Sequence, residues 1–226
     1  MPRSALICND FQSTAFLNGL KGIVFDCDGV LFDSWEANKA YYNGIRAGLD
    51  FGPMDADMEH YVHAHAVKDS IRYVTPEDRW DEAFAVAKSL EYRDLLHHMI
   101  PEPGLENLLG TARQAGLKLG VFTNRTNTME LVLSIFGLEM YFAPVITAAK
   151  VPPKPRPDGL HRILDEWGVR AHEIAFVGDS HLDGAAARAA SVPFWAYKAP
   201  ALEADLHLPD FWSLLRQLQR AFQHRL

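Results

Sequence analysis

Five short apolar runs, at residues 22–26, 117–122, 144–147, 173–177 and 193–197, punctuate this chain, and most are followed by apolar residues at helical spacing. Strand and helix in alternation imply a mostly parallel sheet with helices packed on both faces, an α/β sandwich of three layers. Ligands of such sheets bind outside the carboxyl ends of the strands. The polar chemistry of this sequence falls at those ends.

The first run closes on Asp26-Cys27-Asp28-Gly29, followed by Val30-Leu31-Phe32-Asp33-Ser34. Side chains at i and i+2 of an extended backbone share a face, so Asp26 and Asp28 look into one site while Cys27 turns to the core. Two carboxylates held together repel, and a divalent cation or a proton on one of them relieves the repulsion. Gly29 lets the chain leave the strand sharply. The second run ends in Thr123-Asn124-Arg125, neutral donors suited to phosphate oxygens with a cation beside them. Lys154-Pro155-Arg156-Pro157 then sets a lysine in a backbone of few conformations. The fourth run ends in Gly178-Asp179-Ser180-His181-Leu182-Asp183, two further aspartates four residues apart at the start of an Ala-rich helix.

In their order and placement these four segments resemble the motifs of the haloacid dehalogenase superfamily, in the branch whose phosphoglycolate phosphatases and beta-phosphoglucomutases carry a helical cap. The resemblance covers the chain from about Lys21 onward. It implies a Rossmann-like core with a cap inserted after the first strand, and a magnesium-dependent phosphatase acting on a small phosphate monoester through an aspartyl phosphate. By the same resemblance Asp26 is the nucleophile, Asp28 the general acid and base, Thr123 and Asn124 bind phosphate, and Lys154 is the motif lysine. Magnesium is held by Asp26 and Asp179, with Asp28 through its backbone carbonyl and Asp183 in or near the shell. The acid at Asp28 is expected to start neutral, because a like charge stands beside it, and Asp26 to start ionised against the metal. A phosphomutase of sugar phosphates needs the same residues, and a non-catalytic phosphometabolite-binding or regulatory protein is the alternative outside enzymes. A dehalogenase is disfavoured, since that branch lacks the second aspartate that Asp28 supplies.

Residues 34–100 lack a convincing strand and show three helical stretches, 35–49, 56–73 and 76–99, which makes them the expected cap; residues 1–33 and 101–226 form the expected core. Pro101, Pro103 and Gly104 mark the return to the core. A short sixth strand is expected at 204–208, and an amphipathic closing helix at 211–222 with Leu214, Leu215 and Leu218 inward. The first twenty residues, with Phe11, Phe16, Leu17 and Leu20, read as an extra helix. Within the cap, Lys68 and Arg72 share a helix face and are candidates to reach an anionic part of the leaving group; Arg125 and His181, each beside a motif, are candidates to touch substrate. His63 and His65 do not share a helical face and no cysteine joins His60, His63 and His65, so these histidines read as solvated or packed, and Trp35, Tyr41 and Tyr42 read as packing. Asp33 and Ser34 open the first cap helix, with Ser34 as its cap or hinge, and Thr123 and Asn124 stand ready to cap a helix starting near Thr126.

A net charge of −7 and a pI near 5.8, without basic clusters, exclude broad nucleic-acid or anionic-membrane binding and point to a small phosphorylated metabolite as partner. Cys8 and Cys27 are too few and too far apart for a disulfide framework or a zinc site. Polar residues Asn9, Asp10, Gln12 and Asn18 interrupt any signal-like apolar run, no stretch reaches membrane-spanning length, and a cytoplasmic monomer or homodimer is expected.

Overall fold

The structure, a computed structural model, describes residues 6–11 and 13–223. Residues 1–5, 12 and 224–226, which the expected core includes, lie outside the described residues. The strands are β1 (Leu6–Ile7), β2 (Gly22–Phe25), β3 (Phe32–Asp33), β4 (Ile100–Pro101), β5 (Lys118–Thr123), β6 (Val145–Thr147), β7 (Ile174–Gly178), β8 (Phe194–Tyr197) and β9 (Leu206–Leu208). Seven of them form one parallel sheet in the order β1-β9-β8-β7-β2-β5-β6, while β3 and β4 form a separate antiparallel ribbon.

Alternation along the central strands builds two apolar layers. Ile23 and Phe25 of β2, Leu119 and Val121 of β5, Ala175 and Val177 of β7, and Trp195 and Tyr197 of β8 face one core. Val24, Phe122, Phe176, Phe194 and Ala196, out of phase with them, face the other. The first layer is covered by α5 (Leu105–Gln114), α6 (Met129–Ile135) and α9 (Phe211–Phe222), the second by α7 (Asp158–Trp167) and α8 (His181–Ala189). Both faces are therefore dry, which is why these strands read as continuous apolar runs. α9 buries Leu214, Leu215 and Leu218 as its pattern requires, and Asp210 caps it by accepting from Ser213 N at 2.7 Å.

Between β3 and β4 lie α1 (Trp35–Ala47), α2 (Ala56–Ala64), α3 (Val67–Val74) and α4 (Trp80–Ser89), with 3-10 turns at Glu77–Arg79 and Tyr92–His98. Tyr42, Ile45, Val62, Ile71, Val74 and Ala83 give these helices an apolar cluster of their own. The second expected helix is broken in two because His65 and Ala66 are extended, which turns the chain so that Val62 and Ile71 enter the same cluster. The third is likewise a 3-10 turn, α4 and a second 3-10 turn. The β3–β4 ribbon, unrecognised in the sequence, consists of strands too short to show periodicity. Past its end, Glu102 N donates to Leu31 O at 3.0 Å, and the buried Glu102 carboxylate accepts from Tyr197 OH at 2.8 Å and Lys198 Nζ at 2.6 Å. The return segment is thus fastened to the carboxyl end of β8.

The amino-terminal segment corrects the expectation of a helix. Leu6–Ile7 pairs in parallel with β9, and Thr14–Leu17 forms only a 3-10 turn. The edge of β9 offers backbone partners, and Leu17 and Phe16 pack on the core, Phe16 edge-on to Trp195 at 5.6 Å, while Phe11 stays outside. Among the described residues no helix is long and apolar enough to cross a membrane.

Two glycines test this packing with opposite signs. A Cβ on Gly22 would stand 2.5 Å from the Trp167 ring and 2.9 Å from Lys118 O; Gly22→Ala should destabilise by about 1–3 kcal/mol. Gly110, inside α5, has open space at that position, so Gly110→Ala should stabilise by about 0.5–1 kcal/mol. Urea midpoints at unchanged slope read both; a neutral Gly22→Ala would show that the Trp167 contact yields.

Candidate active site

The strands that carry the motifs are neighbours, β7-β2-β5, so their carboxyl ends open on one place. Asp26 extends the ladder one residue beyond β2, its N–H donating to Val177 O at 2.9 Å. The chain then turns at once: Leu31 N and Phe32 N both donate to Cys27 O, and Cys27 is fully buried in the core. Gly29 adopts φ 72°, and a Cβ there would collide with the Asp179 carboxylate. Glycine is required at that position both by the turn and by the approach of β7's acid.

Lys154 is nearly inaccessible and lies between two acids, its Nζ 2.8 Å from Asp26 Oδ2 and 2.6 Å from Asp183 Oδ1. Its ammonium also lies over the faces of Phe122 and Phe176, 5.8 and 5.7 Å from the ring centroids. Burial opposes its charge, but Asp183 and Asp26 together hold it above the ordinary lysine range. Asp183 is fully buried at the start of α8, where Ser180 N and Oγ donate to its Oδ2 at 3.0 and 2.5 Å while Ser180 Oγ accepts from Asp183 N. This capping box and the Lys154 pair together occupy both oxygens. The Asp183 residue is thus at once the first-turn helix acid and a partner of the site.

Asp28 has a different environment. Arg125 Nε and Nη2 donate to its two oxygens at 2.8 and 2.6 Å, Asn38 Nδ2 donates to Oδ1 at 3.3 Å, and Ser34 Oγ donates to Oδ1 as well. Burial alone would raise the Asp28 carboxyl, yet the Arg125 guanidinium outweighs it and holds it down to about 2. Asp26 goes the other way: burial, with Asp183 and Asp28 adding to it, pushes it up to about 7 against the pull of Lys154. The expected neutral start at Asp28 is therefore corrected, while the ionisation expected at Asp26 was tied to a bound metal. A fork of guanidinium N–H groups outweighs one neighbouring carboxylate.

Asp26, Asp179 and Asp183 offer carboxylate oxygens within 4.8 Å of one another. Asp179 has no hydrogen-bond or ion-pair partner among the described residues, and burial together with Asp183 and Asp26 pushes its carboxyl well up. An all-oxygen set with surplus negative charge fits a hard divalent cation.

Thr123 ends β5 and its Oγ1 accepts from Arg125 N at 3.2 Å. The Asn124 amide is committed elsewhere: Oδ1 accepts from Lys154 N at 2.8 Å, and Nδ2 donates to Lys154 O at 3.4 Å and to Ala64 O of the cap at 3.1 Å. Neither residue caps a helix, since α6 starts later, at Met129. Ser34 occupies the cap position of α1 without capping it; Asp33 Oδ1 accepts from Trp35 N at 3.2 Å instead, which frees the Ser34 hydroxyl for Asp28. His181 is exposed, its ring 6.2 Å from His65 of the cap. Lys68 and Arg72 are exposed and line no part of the cavity; the Arg72 guanidinium sits 4.7 Å over Trp80.

The cavity above Asp26 and Asp28 measures about 70 Å³, and the cap contributes Asn38, Tyr41, Tyr42, His63, His65 and Tyr92 to its lining. Asn38 and Tyr92 escaped the sequence reading. One signal was available for Asn38, which stands four residues after Ser34 and so on the same helix face. Tyr92, whose OH accepts from Arg125 Nη1 at 2.6 Å, lies in an irregular turn that carries no such signal.

A family model described as haloacid dehalogenase-like hydrolase matches residues 23–197. The chain is 32% identical over 188 residues to a phosphoglycolate phosphatase of Rhodospirillum rubrum, covering 76% of this chain and 77% of that one. It is 28% identical over 206 residues to another phosphoglycolate phosphatase, from Chromobacterium violaceum, covering 84% and 92%. Among solved structures, a subfamily IA hydrolase of the same superfamily from Geobacter sulfurreducens superposes with a TM-score of 0.72 at 37% identity, over 88% of this chain and 97% of that one.

The raised carboxyl of Asp26 makes a prediction about stability. With its folded value near 7 against an ordinary 3.8, Asp26 binds more protons folded than unfolded in that interval, so it subtracts stability as pH rises through it. In metal-free protein Asp26→Asn should therefore gain on the order of 2–4 kcal/mol at pH 8, the gain fading towards pH 4. Urea unfolding across that range reads it, and a loss at pH 8 would show that the pair with Lys154 outweighs burial.

Proposed function

Since the chain belongs to the haloacid dehalogenase-like hydrolase family, and its phosphatase relatives share its length, we propose that it hydrolyses a small phosphate monoester, with phosphoglycolate the first candidate, through a phosphoryl group carried on Asp26. The observation that supports this most is the position of Asp26: it stands at a strand end under the cavity, between a buried ammonium and the unpartnered acid Asp179. Asp26 and Asp179, with Asp183 beside them, are the residues that would hold magnesium. Bound there, the cation supplies positive charge to the phosphoryl oxygens.

Asp26 attacks phosphorus in line with the ester oxygen; the Oδ–P bond forms as the P–O bond to the leaving group breaks. Lys154 neutralises charge on the same side, held in place by Asp183 and by the Asn124 amide on its own backbone. The departing alkoxide takes a proton at Asp28. A water then attacks phosphorus and gives its proton to Asp28, which frees Asp26 and inorganic phosphate. The Arg125 clamp favours this second half, for which Asp28 must be ionised. The first half requires Arg125 to release one of the two oxygens it holds.

Phosphate release from phosphoglycolate in magnesium buffer is the direct test. Asp26→Asn should abolish turnover with the fold intact, and chelation of divalent cations should stop the wild type, with magnesium restoring it. Asp28→Asn should lose most rate on esters with poor leaving groups. Undiminished turnover by Asp26→Asn would end the covalent route, and full activity after exhaustive chelation would remove the metal from it.

A further inference from the structure

The donors that the cap offers the cavity can be enumerated. Tyr41 OH donates to Ala87 O at 3.4 Å, Tyr42 OH is bonded to Ser70, and Tyr92 OH accepts from Arg125 Nη1 and donates to Met99 Sδ at 3.9 Å. Asn38 Nδ2 spends its two N–H groups on Asp28 Oδ1 and on His63 Nδ1, each at 3.3 Å. An amide nitrogen can only donate, so His63 Nδ1 accepts, and the ring proton of His63 is on Nε2. His65 is the reverse: its Nδ1 lies 2.9 Å from Tyr61 O, an acceptor, so Nδ1 carries the proton and Nε2 presents a lone pair. Among the described residues Nε2 of His63 has no partner, and it is not among the buried unpartnered atoms. Its ring is held against Trp35 at 4.9 Å.

We propose that His63 is the residue by which the cap recognises the leaving group, its Nε2–H donating to a carboxylate on a short hydroxy-acid ester. The inference rests on the phosphatase reading above. A carboxylate only accepts, and among the described cap side chains that line the cavity this N–H is the one donor without a partner. The cap places no lysine or arginine in the lining, so recognition there runs through a neutral, directional contact fixed by the chain Asp28–Asn38–His63.

The test compares 2-phosphoglycolate with ethyl phosphate, which has the same length without the carboxylate, in full-length wild type, His63→Leu and His63→Gln, all loaded with magnesium. The ratio of kcat/KM for the two esters should fall roughly tenfold to a hundredfold in His63→Leu, and most of it should return in His63→Gln, whose amide nitrogen reaches where Nε2 stood. An unchanged ratio, or no recovery with Gln in a folded variant, overturns the proposal. Nitrogen-15 chemical shifts of wild-type His63 should show the proton on Nε2; the other tautomer overturns it independently of activity. Failure of the phosphatase reading looks different: the wild type then turns over neither ester.

Discussion

Two buried cations among four carboxylates set the terms for everything at the sheet's carboxyl edge. Asp26, Asp28, Asp179 and Asp183 come from adjacent strand ends, and each pair of like charges a few ångströms apart costs on the order of 4 kcal/mol at an effective dielectric near 20. Lys154 takes two of the four and Arg125 takes a third through both oxygens. Each cation would itself be expensive to bury without those acids. The acids and cations therefore fold as one unit, and Asp179 is the charge left over.

That unit constrains the backbone around it. Asn124 bridges to both the N–H and the C=O of Lys154, so the loop after β5 and the loop carrying the lysine are fixed to each other. Gly29 and Gly178 let the Asp179 and Asp183 carboxylates pass, since a Cβ at either position would collide with them. The central strand β2 has the later strand β5 on one side and β7 on the other, which makes its end a switch point where consecutive connections diverge and leave a crevice. The cap enters and leaves beside that crevice on the β3–β4 ribbon, with Glu102 anchoring the exit to β8.

What could be read from the sequence follows from this. Strands buried on both faces are uninterrupted apolar runs, so β2, β5, β7 and β8 and the polar residues at their ends were legible, as was the helical insertion. Pairings across long separations were not. Nothing local links Arg125 to Asp28, ninety-seven residues away, and without that pair the protonation of Asp28 was inferred with the opposite sign. Lys68 and Arg72 share a face as spacing predicts, but periodicity does not say what that face meets, and neither residue lines the cavity. The two-residue β1 is an edge strand defined by its partner β9, information absent from Leu6 and Ile7 themselves.

The distribution of charge also differs between the two sides of the cavity. All the cationic groups that line or underlie the cavity belong to the core, whereas the cap meets it with amide, hydroxyl and imidazole groups. The core side of the cavity thus presents charge, and the cap side presents directional hydrogen-bonding groups. Arg125 joins the two regimes, because its guanidinium donates to Asp28 in the core and to Tyr92 OH on the cap's return segment, and lies 5.2 Å over the Tyr92 ring. Any displacement of the cap that moves Tyr92 removes one of the contacts orienting Arg125, and hence alters how firmly Asp28 is gripped. The position of Tyr92 and the grip on Asp28 are in this way linked through one buried side chain.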